Sequence, residues 1–206
     1  MATQNNGKSL LKRITWKQVL NLILLVGILA GGGFLRLVGG NWDENQHMHP
    51  DERFLSLVQV SISPVDNPLE YFNTVESSLN PANRGHTFFV YGTLPIFITR
   101  YLGEALGQTD YNAITLLGRR VSAVFDILSI LLVYAIGTKL YKKWVGLLGA
   151  AFYALAVLPI QLSHFATVDT AANTFALAAV LGAVWALRRK PSPQEGQIQN
   201  ESDDPE

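Results

Sequence analysis

Four long apolar blocks, separated by polar segments of very unequal length, organise this chain: residues 19–38, 121–140, 145–162 and 168–187. About twenty predominantly apolar residues cross the ~30 Å hydrocarbon core of a bilayer, so these blocks predict four transmembrane helices. Short polar hinges separate the last three. A fifth block, residues 87–106, is interrupted by Pro95, Arg100 and Glu104. A lipid-facing charge is expensive, so this block is expected to form a surface or re-entrant helix that does not cross. The apolar core of block 19–38 is longer than the roughly 7–15 residues of a secretory signal, which favours an uncleaved anchor. Gly27 and Gly31 lie four apart, on one face of that helix, where a neighbouring helix could approach closely.

The polar stretch 39–86, rich in Asn, Pro and Ser, is too long for a simple turn and is expected to be a functional outer loop. One short helix is predicted inside it. Pro50 suits a first helical position, Asp51 and Glu52 fall in the first turn where the macrodipole favours anions, and Phe54, Leu55, Val58 and Ile62 form an apolar stripe. Such a helix could lie along the membrane surface.

Composition narrows the function classes. Hydrophobic residues make up 49% of the 206 and the formal net charge is zero, as expected of an all-α integral membrane protein. Without cysteine there is no disulfide, thiol nucleophile or thiolate metal site, so any divalent metal would rest on His and carboxylate ligands. No concentrated basic face is present to bind nucleic acid.

Charge placement sets the expected topology. Lys8, Lys12, Arg13 and Lys17 in the leader (residues 1–18), Lys139, Lys142 and Lys143, and Arg188 to Lys190 make ten of the sixteen basic residues. With four crossings all ten are cytoplasmic, as the positive-inside rule favours, and all four histidines, Asp51 and Asp169 are outside. The tail, residues 191–206, is cytoplasmic and too poor in apolar residues to fold alone.

The densest chemistry lies in His47-Met48-His49-Pro50-Asp51-Glu52-Arg53, directly after the first span. Acids and histidines at the mouth of a membrane helix cost desolvation, so a catalytic loop explains them better than packing does. An aromatic run, Phe88-Phe89-Val90-Tyr91-Gly92-Thr93-Leu94-Pro95, reads as interfacial packing, with acceptor contact as the alternative. Asp126, inside the second span, reads as a buried hydrogen-bonding group facing a Ser, Tyr or Arg of a neighbouring helix. Arg119 and Arg120 read equally as interfacial anchors or as holders of a phosphate.

The order of these features resembles the start of the GT-C glycosyltransferases, in particular the protein O-mannosyltransferase and aminoarabinose transferase group. The likeness runs from the leader and acidic first loop through the aromatic segment and Gly118-Arg119-Arg120-Val121-Ser122-Ala123. It continues to Leu158-Pro159-Ile160-Gln161-Leu162-Ser163-His164-Phe165-Ala166-Thr167-Val168-Asp169. It implies sugar transfer from a polyprenyl-phosphate carrier to a lipid or protein acceptor on the outer face, with inversion, in the plasma membrane if the source is bacterial. Asp51 matches the first-loop acid that acts as base or acceptor contact, Glu52 is its neighbour, and Asp169 matches the second-loop acid. Arg53, Arg84 and His86 are the candidates to hold the departing phosphate. Such transferases continue through further spans, so a C-terminal half or a partner subunit is expected to complete the groove. Two other classes compete: a non-catalytic subunit or carrier-lipid-binding module, and a small transporter suggested by Asp126, for which no paired half-helix repeat is visible.

Because the chain has no native cysteine, single cysteines at positions 51, 143 and 169 test the topology directly. Membrane-impermeant maleimide applied to sealed cells should label 51 and 169 and spare 143; external labelling at 143 would overturn the four-crossing arrangement.

Overall fold

The computed structural model describes residues 15–188. Most of the leader and all of the tail 191–206 lie outside them. Among the described residues the chain forms seven α-helices and two 3-10 turns, with no strand. Helix α1 spans Trp16–Leu37, α2 Pro50–Ser61, α3 Leu94–Leu106, α4 Tyr111–Leu140, α5 Lys143–Leu155, α6 Val157–Leu162 and α7 Asp169–Leu187. Three of them, α1, α4 and α7, are long and apolar enough to cross a membrane, and α5 is a shorter apolar helix. This is an all-α integral membrane protein.

Local chemistry sets the boundaries. Gln18 reaches back to accept from the Thr15 N–H at 2.9 Å, so α1 begins inside the expected leader. Asp110 caps α4, its Oδ1 accepting from the Asn112 and Ala113 N–H groups at 3.1 Å each. Helix α4 therefore starts ten residues before the expected span and, with 30 residues, is about 45 Å long. That exceeds the hydrocarbon thickness, so its first turns project beyond the bilayer.

Two expected helices are shorter than their apolar blocks. Block 145–162 is divided at Ala156 into α5 and α6. Pro159 has no N–H for the Leu155 carbonyl, and its ring would crowd that carbonyl in a continuous helix. In block 87–106 the helix begins only at Leu94, with Pro95 in its first turn, and ends at Gly107, which adopts φ +66°. Its 13 residues reach about 20 Å, short of the ~30 Å hydrocarbon core. It lies against the projecting turns of α4, with Thr99 beside Gly118 and Gly103 beside Ile114.

Helices α1, α4, α5 and α7 form the bundle, α4 packing against each of the others. A polar network ties them. Arg36 of α1, fully buried, is paired with Asp126 of α4, and its Nη1 donates to the Gly32 and Ala154 carbonyls at 3.0 and 2.9 Å. The Tyr153 hydroxyl of α5 donates to the other Asp126 oxygen and receives the Asn173 amide of α7 at 2.7 Å. Asp126 thus has the Arg and Tyr partners expected of it. The network also decides which glycines pack: Gly32, one turn before Arg36, faces Ile130 and Ala154, and Gly33 faces Ile127, whereas Gly27 and Gly31 meet nothing within 4 Å. The expectation for Gly27 and Gly31 is corrected accordingly, because Arg36 fixes the rotation of α1.

Helices α4 and α5 approach most closely where Gly137 meets Gly146. A Cβ on Gly146 would lie 2.5 Å from the Tyr134 carbonyl and closer still to Thr138 Oγ1. Gly146→Ala should therefore destabilise the bundle by about 1–3 kcal/mol, read as a lowered midpoint of thermal unfolding in detergent, while Gly31→Ala should leave it unchanged.

Candidate functional site

Helix α2 is placed by its apolar stripe. Leu55, Val58 and Ile62 are buried together with Leu79 and Ile96, and Phe54, Phe89, Tyr91, Phe97 and Val168 pack around them. The expected helix and stripe are thus observed, with the apolar face covered by protein. The start is fixed by Pro50 and by His49, whose Nδ1 accepts from the Glu52 N–H at 3.4 Å.

Three consecutive residues of α2 then face three different ways. Asp51 and Arg53 are exposed, whereas Glu52 between them is fully buried. Glu52 meets Arg119 of α4: Nε donates to Oε1 at 2.8 Å and Nη2 to Oε2 at 2.7 Å. Arg119 is also held by Asp43, through Nη1 to Oδ1 at 2.9 Å and Nη2 to Oδ2 at 2.7 Å, and its Nη1 donates to the Gly40 carbonyl at 2.8 Å. The Ala166 N–H donates to Glu52 Oε1 at 2.7 Å, and the guanidinium lies 5.7 Å from the centre of the Trp42 ring. One arginine therefore joins α2, α4, the loop after α1 and the loop before α7. Hydrogen bonding to Arg119, opposed by burial, holds the Asp43 carboxyl down at about 2.

Around Asp43 the backbone is strained. Glu44, Asn45 and His47 adopt φ values of 50°, 65° and 49°, a region non-glycine residues rarely occupy. The buried His47 ring sits 2.7 Å from Asn112 Oδ1 and 4.6 Å from the Tyr111 ring.

Asp51 and Asp169 occupy the open side. Asp169 is the first residue of α7 and exposed, and it makes no capping hydrogen bond. Its neighbour Val168 packs on the core beneath α2. The Tyr91 hydroxyl donates to Asp51 Oδ1 at 3.1 Å. That hydrogen bond, with partial desolvation and the charges of both Asp51 and Asp169, raises the Tyr91 phenol above its ordinary range. Both sequence-nominated acids are thus exposed, and both lie within Coulombic reach of Tyr91.

The other nominated residues divide. The His86 ring meets Phe54 edge-on at 5.8 Å, and Phe54 packs with Phe89 and Tyr91, so His86 stands on the Asp51 side. Arg84 is exposed in the preceding 3-10 turn and reaches the Ser78 carbonyl at 3.5 Å. Arg53, two residues on from Asp51 and so about 200° around α2, is exposed. Among the described residues no three His, Asp or Glu side chains converge as a metal-binding group. Phe89 and Tyr91 pack as the aromatic run implied, while Phe88 is exposed.

Residues 113–195 match the model of the dolichyl-phosphate-mannose-protein mannosyltransferase family. Over this stretch the chain is GT-C-like. The match takes in α4 from its third residue through α7, and so includes Arg119, Asp126 and Asp169; the first-loop residues Asp43, Asp51 and Glu52 precede it. No curated protein and no solved structure matches the chain.

Sequence reading missed Asp43 and read Arg119 as an anchor or phosphate holder; instead Arg119 is buried in an ion triad. Tyr91 was noticed only as one aromatic among several. The capping aspartate Asp110 would have signalled that α4 starts early enough to bury Arg119 three turns in.

Arg119→Gln would leave two buried carboxylates without their cation. It should cost about 3–5 kcal/mol, read as a collapse of the thermal unfolding midpoint, whereas Arg120→Gln at the neighbouring exposed position should stay within about 0.5 kcal/mol of the parent.

Proposed function

We propose that this chain is a membrane glycosyltransferase that moves a sugar from a polyprenyl-phosphate carrier to an acceptor at the outer face, with inversion at the anomeric carbon. The observation that carries the reading is the exposed Asp51 carboxylate, hydrogen-bonded by Tyr91, with the exposed Asp169 within Coulombic reach of the same tyrosine, in a chain with a GT-C-like transmembrane segment.

In a single displacement the acceptor oxygen bonds to the anomeric carbon as the bond from that carbon to the carrier phosphate breaks. The acceptor proton passes to a carboxylate, and the negative charge departs on the polyprenyl phosphate. Asp51 is suited to receive the proton, being exposed and hydrogen-bonded through one oxygen only among the described residues. Asp169, at the N-terminus of α7, is the second acid and orients the acceptor. His86, packed on Phe54 beside Tyr91, is suited to meet the departing phosphate, with Arg84 and Arg53 as the further candidates. Glu52 is enclosed and both its oxygens are occupied, so we assign it the task of holding α2 against α4, in place of the catalytic role its position beside Asp51 suggested.

The orientation belongs to the same proposal. Helix directions bring Lys17, Lys139, Lys142, Lys143 and Arg188 to one end of the bundle, and Asp51 and Asp169 to the other. The positive-inside rule then places the basic end in the cytoplasm and the acids outside. In a bacterium the membrane is the plasma membrane.

The test is transfer of radiolabelled sugar from its polyprenyl phosphate in membranes carrying the native protein. Asp51→Asn and Asp169→Asn should each lower turnover by about 10²–10⁴-fold with membrane insertion intact. Unchanged turnover in both would overturn the assignment.

A further inference from the structure

At the basic end of the bundle, α4 and α7 touch, part and touch again. Nearer the acids, the Thr174 hydroxyl bonds the Phe125 carbonyl at 2.7 Å and the Ser129 hydroxyl at 2.9 Å. At the far end Arg188 closes the gap, its guanidinium donating to the carbonyls of Lys139 and, at 2.7 Å, Leu140. Between these contacts lies an open groove of about 560 Å³, with Ala135, Ala178, Leu181 and Gly182 among its walls and Lys139 and Trp185 at its mouth. Its lining is almost wholly apolar, and small residues keep it open: a Cβ on Gly182 would meet nothing within 4 Å.

Charge at the mouth is one-sided. Lys139 lines the groove, and Lys142, Lys143 and Arg188 are exposed at the same end of the bundle. No Asp or Glu occurs on α4 after Asp126, on α7 after Asp169, or anywhere on α1 and α5. An apolar slot on the lipid-facing side of a bundle, rimmed by cations with no compensating acid among the described residues, matches an amphiphile with an anionic head.

We infer that the α4–α7 groove binds an anionic phospholipid of the leaflet at the basic end, one acyl chain lying along Ala178 and Gly182 and the phosphate meeting Lys139. Trp185, at the same level, suits the interfacial region where a glycerol backbone sits. The site is at the opposite end of the bundle from Asp51 and Asp169 and does not depend on the proposed transfer reaction.

The test is native mass spectrometry of the full chain, released from detergent micelles and titrated with phosphatidylglycerol or phosphatidylcholine. Phosphatidylglycerol should bind more tightly. Lys139→Gln should weaken it about fivefold and leave phosphatidylcholine unchanged, since one interfacial cation is worth about that factor. Gly182→Leu, which fills the slot, should weaken both lipids, and Ala178→Leu repeats this test one turn away should the first variant fail to fold. Equal affinity for the two lipids, or phosphatidylglycerol binding indifferent to Lys139→Gln, would overturn the proposal. So would lipid binding indifferent to the filled slot, the result expected if another helix covers the groove.

Discussion

The buried guanidinium of Arg119 is the point on which the outer half of this molecule turns. It joins four segments far apart in sequence: the loop after α1 through Asp43 and Gly40, α2 through Glu52, α4 itself, and through Glu52 the backbone of Ala166 before α7. Taking three charges out of water is costly, and their mutual attraction offsets that cost only with near-complete hydrogen bonding. Here all three nitrogens of the guanidinium and all four carboxylate oxygens are engaged. A shift of α2 or of the loop after α1 would separate a buried carboxylate from its cation, so both are coupled to α4.

That constraint bears directly on the exposed acids. Glu52 points inward, and its neighbour Asp51, about 100° around the helix, is thereby turned to the open face, where Tyr91 meets it. Ala166, three residues before Asp169, is tied to the same Glu52 oxygen that accepts from Arg119. The two acids are positioned from behind by one ion triad, while their own carboxylates stay exposed. Under the proposed reaction this is preorganisation from the far side of the groups that react.

A second buried pair, Arg36 with Asp126, does for the bundle what Arg119 does for the loops. It sets the rotation of α1 and links through Tyr153 and Asn173 to α7. In lipid there is little hydrophobic force to distinguish one helix face from another, so such polar contacts and close glycine approaches decide the arrangement. This is why Gly32 is packed and Gly27 and Gly31 are open.

The sequence by itself determined the class of protein, the apolar blocks, the helix beginning at Pro50, and the nomination of Asp51 and Asp169. Each rests on local chemistry or on the length of an apolar run, which a linear chain displays. Helix breaks and extensions were less legible: Pro159 and Asp110 carry the signal, but hydropathy hides a break inside an apolar block and an extension beyond it. Only the tertiary structure decided that Glu52 is a buried support and not a second exposed acid, that Asp43 and Arg119 belong to it, and that Tyr91 is the partner of Asp51. Adjacent acids on a helix look alike in sequence; which one faces solvent is set by a partner 67 residues away, and that pairing exists only once α2 and α4 have packed.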